Sequence, residues 1–276
     1  MYLPPVFDEP VIIVMNNVCL EILISTHGTE GPGRVEAMRL PEVPGVRYLV
    51  SCQAAPMPVP DGLARRTDVD IRFVDGTGLS ANRNALLDRA SAPLVMFADD
   101  DLVLTADGVG AMIKTMDENP DLDGACFSPV DKWRDYPSDP FVLKAHARHY
   151  YYALLCELVL RREALVRTGV RFSLQMGVNA PFLHSGEDDL FLYRILCKGL
   201  CVKYFLIDTY NHPHPSTGFR HQPPGVLRSR GAILLTMHPL TAVPRMLRLA
   251  RRLPQPTLPA FGHMLRGALY ALTHRL

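Results

Sequence analysis

The sequence predicts an α/β fold: a mostly parallel, doubly wound sheet flanked by helices, followed by a helical, basic C-terminal tail. Three observations predict it. Short apolar runs recur through the first part of the chain, each ending at polar or Gly-rich residues. A helical period separates the third run from the fourth, and acidic and basic residues are divided unevenly between the body and the end of the chain. Brief apolar runs read as buried strands, and strand, helix, strand at this spacing feeds a parallel sheet.

The elements follow in order. Residues 1–18 read as an N-terminal extension, since MYLPPVFDEPVIIV holds Asp8, Glu9 and three prolines and lacks the basic start of a secretory signal. Leu20–Ser25 (LEILIS) is a buried strand passing into Thr26-His27-Gly28. Val46–Ser51, Ile71–Val74 and Leu94–Ala98 are three more. Ser80–Arg89 is a helix behind a Ser cap, with Leu86, Leu87 and Ala90 on one face. Ligands of such sheets bind beyond the carboxyl ends of the strands, so the loops at Thr26, Ser51, Asp75 and Asp99 should converge on one pocket. Gly108–Met116 then reads as a helix ended by Asn119-Pro120, and Asp123–Val130 as a strand. Residues 131–150 are irregular and rich in Pro, Asp, aromatics and His. Cys156–Leu160 reads as a strand and Arg161–Thr168 as a helix closed by Gly169. Ser185–Lys198 is the clearest helix, with a Ser cap, acidic residues in its first turn and apolar Leu190, Phe191, Ile195 and Leu196. Leu200–Ile207 is the last strand; beyond Pro215 there is no strand signal and no internal repeat.

Composition narrows the class. With 48% hydrophobic and 21% charged residues the chain is a folded globular protein. Its six cysteines form no CxxC pair and have no zinc-finger spacing, which suits free thiols in a reducing cytosol. No apolar run reaches the ~18 residues of a membrane span. The net charge of +1 hides an asymmetry: all 28 acidic residues lie at or before Asp208, while nine arginines and no lysine follow it. An acidic, catalytic-looking body thus precedes a basic tail.

Asp99-Asp100-Asp101 directly after an apolar strand is costly to place, because neighbouring carboxylates raise one another's pKa unless a cation or hydrogen bonds offset them. A hard divalent ion, Mg²⁺ or Mn²⁺, sharing its shell with water and substrate phosphates suits the cluster. A solvated acidic turn is the plainer alternative that three aspartates alone leave open.

The surrounding motifs carry a resemblance. GLSANRNALLDRASAPLVMFADDDLVL (Gly78–Leu104) resembles the donor half of the family 2 glycosyltransferases, in which a G-x-S-x-x-R-N segment opens a helix and a strand delivers a D-x-D motif; here these are Gly78, Ser80, Arg83, Asn84, Asp99 and Asp101. SGEDDLFLYRILCKGL (Ser185–Leu200) is similar to the family's E-D motif at a helix N-terminus. The resemblance covers about residues 20–215. It implies a GT-A type fold spanning residues 19–218, with a donor half at 19–105 and an acceptor half at 106–218 that includes the irregular 131–150 loop; residues 219–276 form a basic amphipathic helical tail. It also implies a nucleotide-sugar donor, a UDP-sugar, held by Thr26, His27, Arg83, Asp99 and Asp100, with Asp99 towards the ribose, Arg83 near the nucleotide and Thr26 and His27 by the base. Asp101 would ligate Mn²⁺ or Mg²⁺ on the diphosphate. One departure matters: many relatives grip uracil with an acidic pair after the second strand, where this chain has Ser51-Cys52-Gln53.

Inverting glycosyl transfer needs a carboxylate to take the proton of the acceptor hydroxyl. The resemblance gives that role to Asp188, with Glu187 orienting the acceptor and Asp189 structural. The alternative is that all three acids only complement a helix dipole. A stretch like Asn211-His212-Pro213-His214 followed by Pro215-Ser216-Thr217-Gly218 is similar to a feature of some bacterial members. There His212 would complete the metal shell or touch the phosphates, with His214 the weaker choice.

Rival classes are weaker. Val74-Asp75-Gly76-Thr77 matches the end of a haloacid-dehalogenase motif, but the nucleophile's position holds Phe73. A nucleotidyltransferase needs a basic Gly-rich loop after the first strand and finds only Gly28–Arg34 (GTEGPGR). A non-catalytic nucleotide-sugar-fold module is opposed by retention of both acidic motifs, and nucleic-acid binding by an acidic body and few aromatics among the arginines. In the tail, Arg245, Arg248, Arg251 and Arg252 lie among Met246, Leu247, Leu249 and Leu253 before Pro254, and Phe261–Leu272 is a second apolar segment. Such a tail predicts a peripheral place at the inner membrane surface, suited to a saccharide or lipid-linked saccharide acceptor of surface-polysaccharide synthesis. Packing on the body or against a second copy is the alternative.

Overall fold

A computed structural model describes residues 18–53, 58–147, 152–212 and 222–276. Strand β1 (Leu20–His27) lies inside the sheet, buried along its length except at His27. A strand covered on both faces needs apolar side chains in both directions, which is why LEILIS reads as a run and not as an alternation. Strands β2 (Val46–Gln53), β3 (Val69–Val74) and β4 (Leu94–Asp99) run parallel to it in the order β3-β2-β1-β4. The register sets Ser25 opposite both Ser51 and Asp99. The carboxyl ends of three strands therefore finish level, beside one another.

Beyond β4 the sheet becomes mixed. Strand β8 (Leu158–Arg161) is antiparallel to β4 and to β6 (Gly124–Pro129), while β6 runs parallel to β9 (Val202–Asn211). Two short strands, β5 (Val103–Leu104) and β7 (Phe141–Val142), pair antiparallel with β9. The parallel pattern thus holds through the first four strands, whereas β8 enters from a 3₁₀ turn at Leu155–Glu157, with no crossover helix to impose a direction.

Helices cover both faces. On one, α3 (Leu79–Arg89) and α6 (Glu187–Cys197) bury Leu86, Leu87, Phe191 and Ile195 against Leu23, Leu49, Val95 and Phe97. The rings of Phe172 and Phe191 stack at 4.1 Å there, with Phe97 edge-on to Phe172 at 5.1 Å. On the other face, α1 (Gly31–Ala37) and α4 (Ala106–Glu118) bury Val35, Val109, Met112 and Met116 against Ile22, Ile24, Val50 and Met96. Helix α4 begins at Thr105, whose hydroxyl accepts from the Gly108 amide at 3.0 Å. A short α2 (Asp61–Ala64) precedes β3, and α5 (Arg162–Thr168) ends, as expected, on left-handed Gly169.

Two caps differ from expectation. Helix α3 starts behind Gly78, and Ser80 lies inside it, donating to the Met176 carbonyl at 2.7 Å. Helix α6 starts behind Gly186, at φ 84°, leaving Ser185 outside. The reason is crowding: a Cβ on Gly186 would lie 2.1 Å from Ile233 Cδ1. The last strand is also longer than read, running to Asn211 because β6 pairs on one side and β5 and β7 on the other.

The basic tail folds into α7 (Pro224–Met237), α8 (Ala242–Ala250) and α9 (Thr257–Thr273). The last two match the segments read from sequence. Helix α7 falls within the tail read as helical but was not delimited as a segment of its own, because much of its buried face is Gly225, Ser229, Gly231 and Ala232, which carry little apolar period. Those small residues permit direct backbone contact: a Cβ on Gly231 would sit 1.8 Å from the Met264 carbonyl oxygen, and one on Gly267 1.8 Å from that of Arg228. Among the described residues no helix is long and apolar enough to cross a membrane.

Candidate active site

Strand β4 delivers Asp99 to the level carboxyl edge, and Asp100 and Asp101 follow in the turn. Asp100 is tied to the end of β1: the Thr26 hydroxyl donates to its Oδ2, and Arg34 Nε donates to the same oxygen at 2.9 Å. Arg34 Nη2 also donates to Thr26 Oγ1 at 3.2 Å and to the His27 carbonyl at 2.7 Å. Gly31 is required beside them, since a Cβ there would lie 2.7 Å from Thr26 Oγ1. Asn82 fastens the edge from the other face, its amide donating to the Thr26 and Ser51 carbonyls at 3.0 Å each. Ser51, Cys52 and Gln53 are all buried, and His27 is exposed at the strand end.

Arg83 joins the two acidic motifs. It is 3% exposed; its Nη2 lies 2.9 Å from Asp99 Oδ1, its Nη1 contacts Asp188 Oδ1, and the same nitrogen is 3.5 Å from Glu187 Oε1. Its guanidinium carbon also stands 5.6 Å from the Phe172 ring centroid. Burial alone would weaken its charge, but Asp188, Asp99 and Glu187 outweigh burial and hold it protonated. One cation thus serves three carboxylates.

The acids register that shortage. Burial, then the charge of Asp188, pushes Glu187 up to about 7 against the pull of Arg83. Burial also raises Asp188, opposed by Arg83 and reinforced by Asp99. Asp189 is pushed up to about 7 by burial and then by Asp188, while Arg230 of α7 and Arg134 oppose the rise. Among the described residues Glu187 Oε2 and Arg83 Nε are buried without a hydrogen-bond partner. Asp188 is the more open acid, its side chain 21% exposed against 9% for Glu187. Among the described residues its Oδ2 receives only a long bond from the Leu155 amide, 3.4 Å.

Asp101 faces His212 across the edge, Oδ1 to Nε2 3.8 Å. Burial raises its carboxyl most, with His212 lowering it and Asp99 and Asp100 raising it further. His212 Nδ1 is buried without a partner. Among the described residues no group of three or more His, Cys, Asp or Glu is drawn together as a metal cage. A carboxylate and an imidazole facing each other, one with an unsatisfied nitrogen, nonetheless fit a divalent ion completed by diphosphate oxygens and water. His214 lies outside the described residues.

Sequence reading missed several of these groups. Arg34 sits in the GTEGPGR loop weighed only as a phosphate loop, and Asn82 lies between the quoted Ser80 and Arg83. Glu157, fully buried, accepts from Arg134 Nη2 at 2.7 and 2.8 Å and from the Tyr136 hydroxyl at 3.0 Å, pinning the irregular loop beside Leu155 and Asp188. Burial still lifts its pKa, against Arg134.

Residues 66–178 match the family model of glycosyl transferase family 2. S. aureus TarS 1–349 in complex with UDP-GlcNAc shares the fold at a TM-score of 0.59 and 12% identity, over 92% of this chain and 71% of that one. The same protein in complex with UDP gives 0.57 at 15% identity, over 84% and 70%. The mannosyltransferase PcManGT from Pyrobaculum calidifontis in complex with GDP-Man and Mn²⁺ gives 0.53 at 16% identity, over 92% and 72%. No curated protein matches the chain by sequence.

Proposed function

We propose that this chain, a glycosyltransferase of family 2 type on a GT-A fold, moves a sugar with inversion from a nucleotide-diphosphate donor, a UDP-sugar, to a hydroxyl of a saccharide or lipid-linked saccharide. The observation that carries the reading is the meeting of the Asp99–Asp101 turn and the Glu187-Asp188 helix start on Arg83, at the end of the sheet where α/β folds bind ligands. Residues 19–218 form the catalytic domain in this reading and residues 219–276 its helical appendage.

The donor nucleotide lies along the Thr26–Arg34–Asp100 network and Asp99, beside His27. Asp101 and His212 would hold Mn²⁺ or Mg²⁺. When bound, such an ion neutralises the charge of the departing diphosphate. Arg83 occupies Asp188 Oδ1 and opposes the rise that burial gives its carboxyl, so Oδ2, held only by the long bond from the Leu155 amide among the described residues, is the atom placed to accept a proton. The acceptor oxygen attacks the anomeric carbon as the bond to the diphosphate breaks, and its proton passes to that Oδ2. Glu187, raised to about 7, carries a proton or not near neutral pH and orients the acceptor. The basic tail brings this site to the inner surface of a membrane.

Asp188→Asn tests the assignment. Donor binding should survive while turnover falls by about 10²–10⁴, the usual contribution of a general base. Product that keeps the donor's anomeric configuration would overturn the mechanism.

A further inference from the structure

The tail presents a face that no other part of the described molecule covers. Helices α8 and α9 turn Ala242, Met246, Ala250, Ala260, Met264 and Ala268 into one shared core. What points away is apolar and basic: Val243 of α8 and Leu258, Leu265, Leu269 and Leu272 of α9 are exposed, Leu258 and Leu272 by 79% and 70%, as is Leu240 in the turn before α8. On α9 the exposed leucines recur at helical spacing, so they form one stripe. Arg245, Arg248, Arg251, Arg252, Arg266 and Arg275 are exposed too, and among the described residues none of them makes an ion pair. A second copy would set arginine against arginine on this face, whereas an anionic lipid surface answers both its charge and its leucines.

The layer beneath this face reaches the candidate base. Helix α7 contacts α9 backbone to backbone through Gly231 and Gly267. Its opposite side meets the start of α6: Ser229 Oγ accepts from the Ser185 amide at 3.1 Å, and Ile233 fills the space over Gly186. Ile233, Ala232 and Met237 share a core with Met176, Leu183 and Leu190, and Arg230 opposes the rise of Asp189. Gly186 is the residue before Glu187 and Asp188.

We propose that the outer face of α8 and α9 docks on an anionic lipid bilayer, and that α7 ties this docking to the acidic start of α6. The proposal rests on the membrane placement given above and adds the surface and its link to the site.

The full chain is mixed with vesicles of phosphatidylcholine containing phosphatidylglycerol, and with phosphatidylcholine alone, at low and high salt. Sedimentation should require the anionic lipid and weaken with salt. The variant Leu258→Glu/Leu269→Glu/Leu272→Glu alters only exposed positions and should bind at least about tenfold more weakly. Hydrogen exchange of the wild-type amides in residues 185–190 should slow on vesicle binding. In Ser229→Ala the vesicles should still bind while that slowing is lost. No anionic-lipid binding, or self-association through this face in its place, would overturn the surface. Binding that protects α8 and α9 but leaves residues 185–190 unchanged would overturn the link. Neither readout uses turnover, so a failure of the transferase reading is seen separately, as absent nucleotide-sugar cleavage.

Discussion

Two buried clusters, near opposite ends of the same parallel strands, handle carboxylates in opposite ways. Near the start of β1, Glu21 is fully buried and satisfied: it accepts from the Ser91 and Ala92 amides at 2.6 and 3.0 Å, from Ser91 Oγ at 3.1 Å and from Arg47 Nε at 3.0 Å. Burial alone would raise its pKa, but the Ala92 amide and Arg47 carry it below the ordinary value. At the other end, among the described residues, Arg83 alone ion-pairs with Asp99, Glu187 and Asp188, orphan atoms remain, and the pKa values of Glu187 and Asp188 rise. Glu21 is bonded as a carboxylate used for folding is; Glu187 and Asp188, left short of positive charge, fit the proton- and cation-handling roles proposed for this end of the sheet.

The largest expected effect breaks the second cluster. Arg83→Met strands buried acids without their cation and should destabilise the fold by about 3–5 kcal/mol, read by chemical denaturation. Retained stability would mean that Arg83 is not the hub.

The two ends should also differ in the sign of their pH dependence. Glu187 rises from 4.5 to about 7 on folding, so the native state binds the extra proton. Its contribution is fully present below pH 4.5 and is lost as pH rises through about 7. Glu21 is lowered, so its contribution is present above its ordinary value of 4.5 and is lost as pH falls. Glu187→Gln should therefore be more stable than wild type at pH 8 by roughly 1–3 kcal/mol and nearly equal at pH 4. A difference that grows towards acid would reverse the assignment.

Gly186→Ala joins two strains, a side chain at φ 84° and a methyl 2.1 Å from Ile233. It should lose about 1–3 kcal/mol and, unlike a remote destabilising change, lower turnover even where the protein is fully folded. Smallest is Arg47→Met. Glu21 keeps its amide donors, and Arg47 itself is 36% exposed, so the loss should be only about 1 kcal/mol, with turnover unchanged.

The sequence displayed what depends on local pattern. LEILIS, VRYLVS and LVMFA read as strands because both faces of the sheet are covered, and Ser185–Lys198 read as a helix because Leu190, Phe191 and Ile195 share a face. The acidic turn and acidic helix start were visible for the same reason. Their meeting was not, since Arg83 and Asp188 stand 105 positions apart and only tertiary folding pairs them. Arg34 and Asn82 act through a few long-range hydrogen bonds that no period announces. The bounds of helix α7 within the helical tail escaped because glycine, serine and alanine make its contacts by close approach, and Gly186 displaced the expected Ser185 cap because Ile233 leaves no room for a Cβ.

In the proposed function the Asp99–Asp101 turn is the metal-dependent seat of a nucleotide diphosphate. Calorimetric titration of UDP into the full chain, with and without Mn²⁺, and into Asp101→Asn tests it most directly. Heat of binding should appear for the wild type only with Mn²⁺ and should vanish in the variant. Equal binding in all three titrations would contradict the claim.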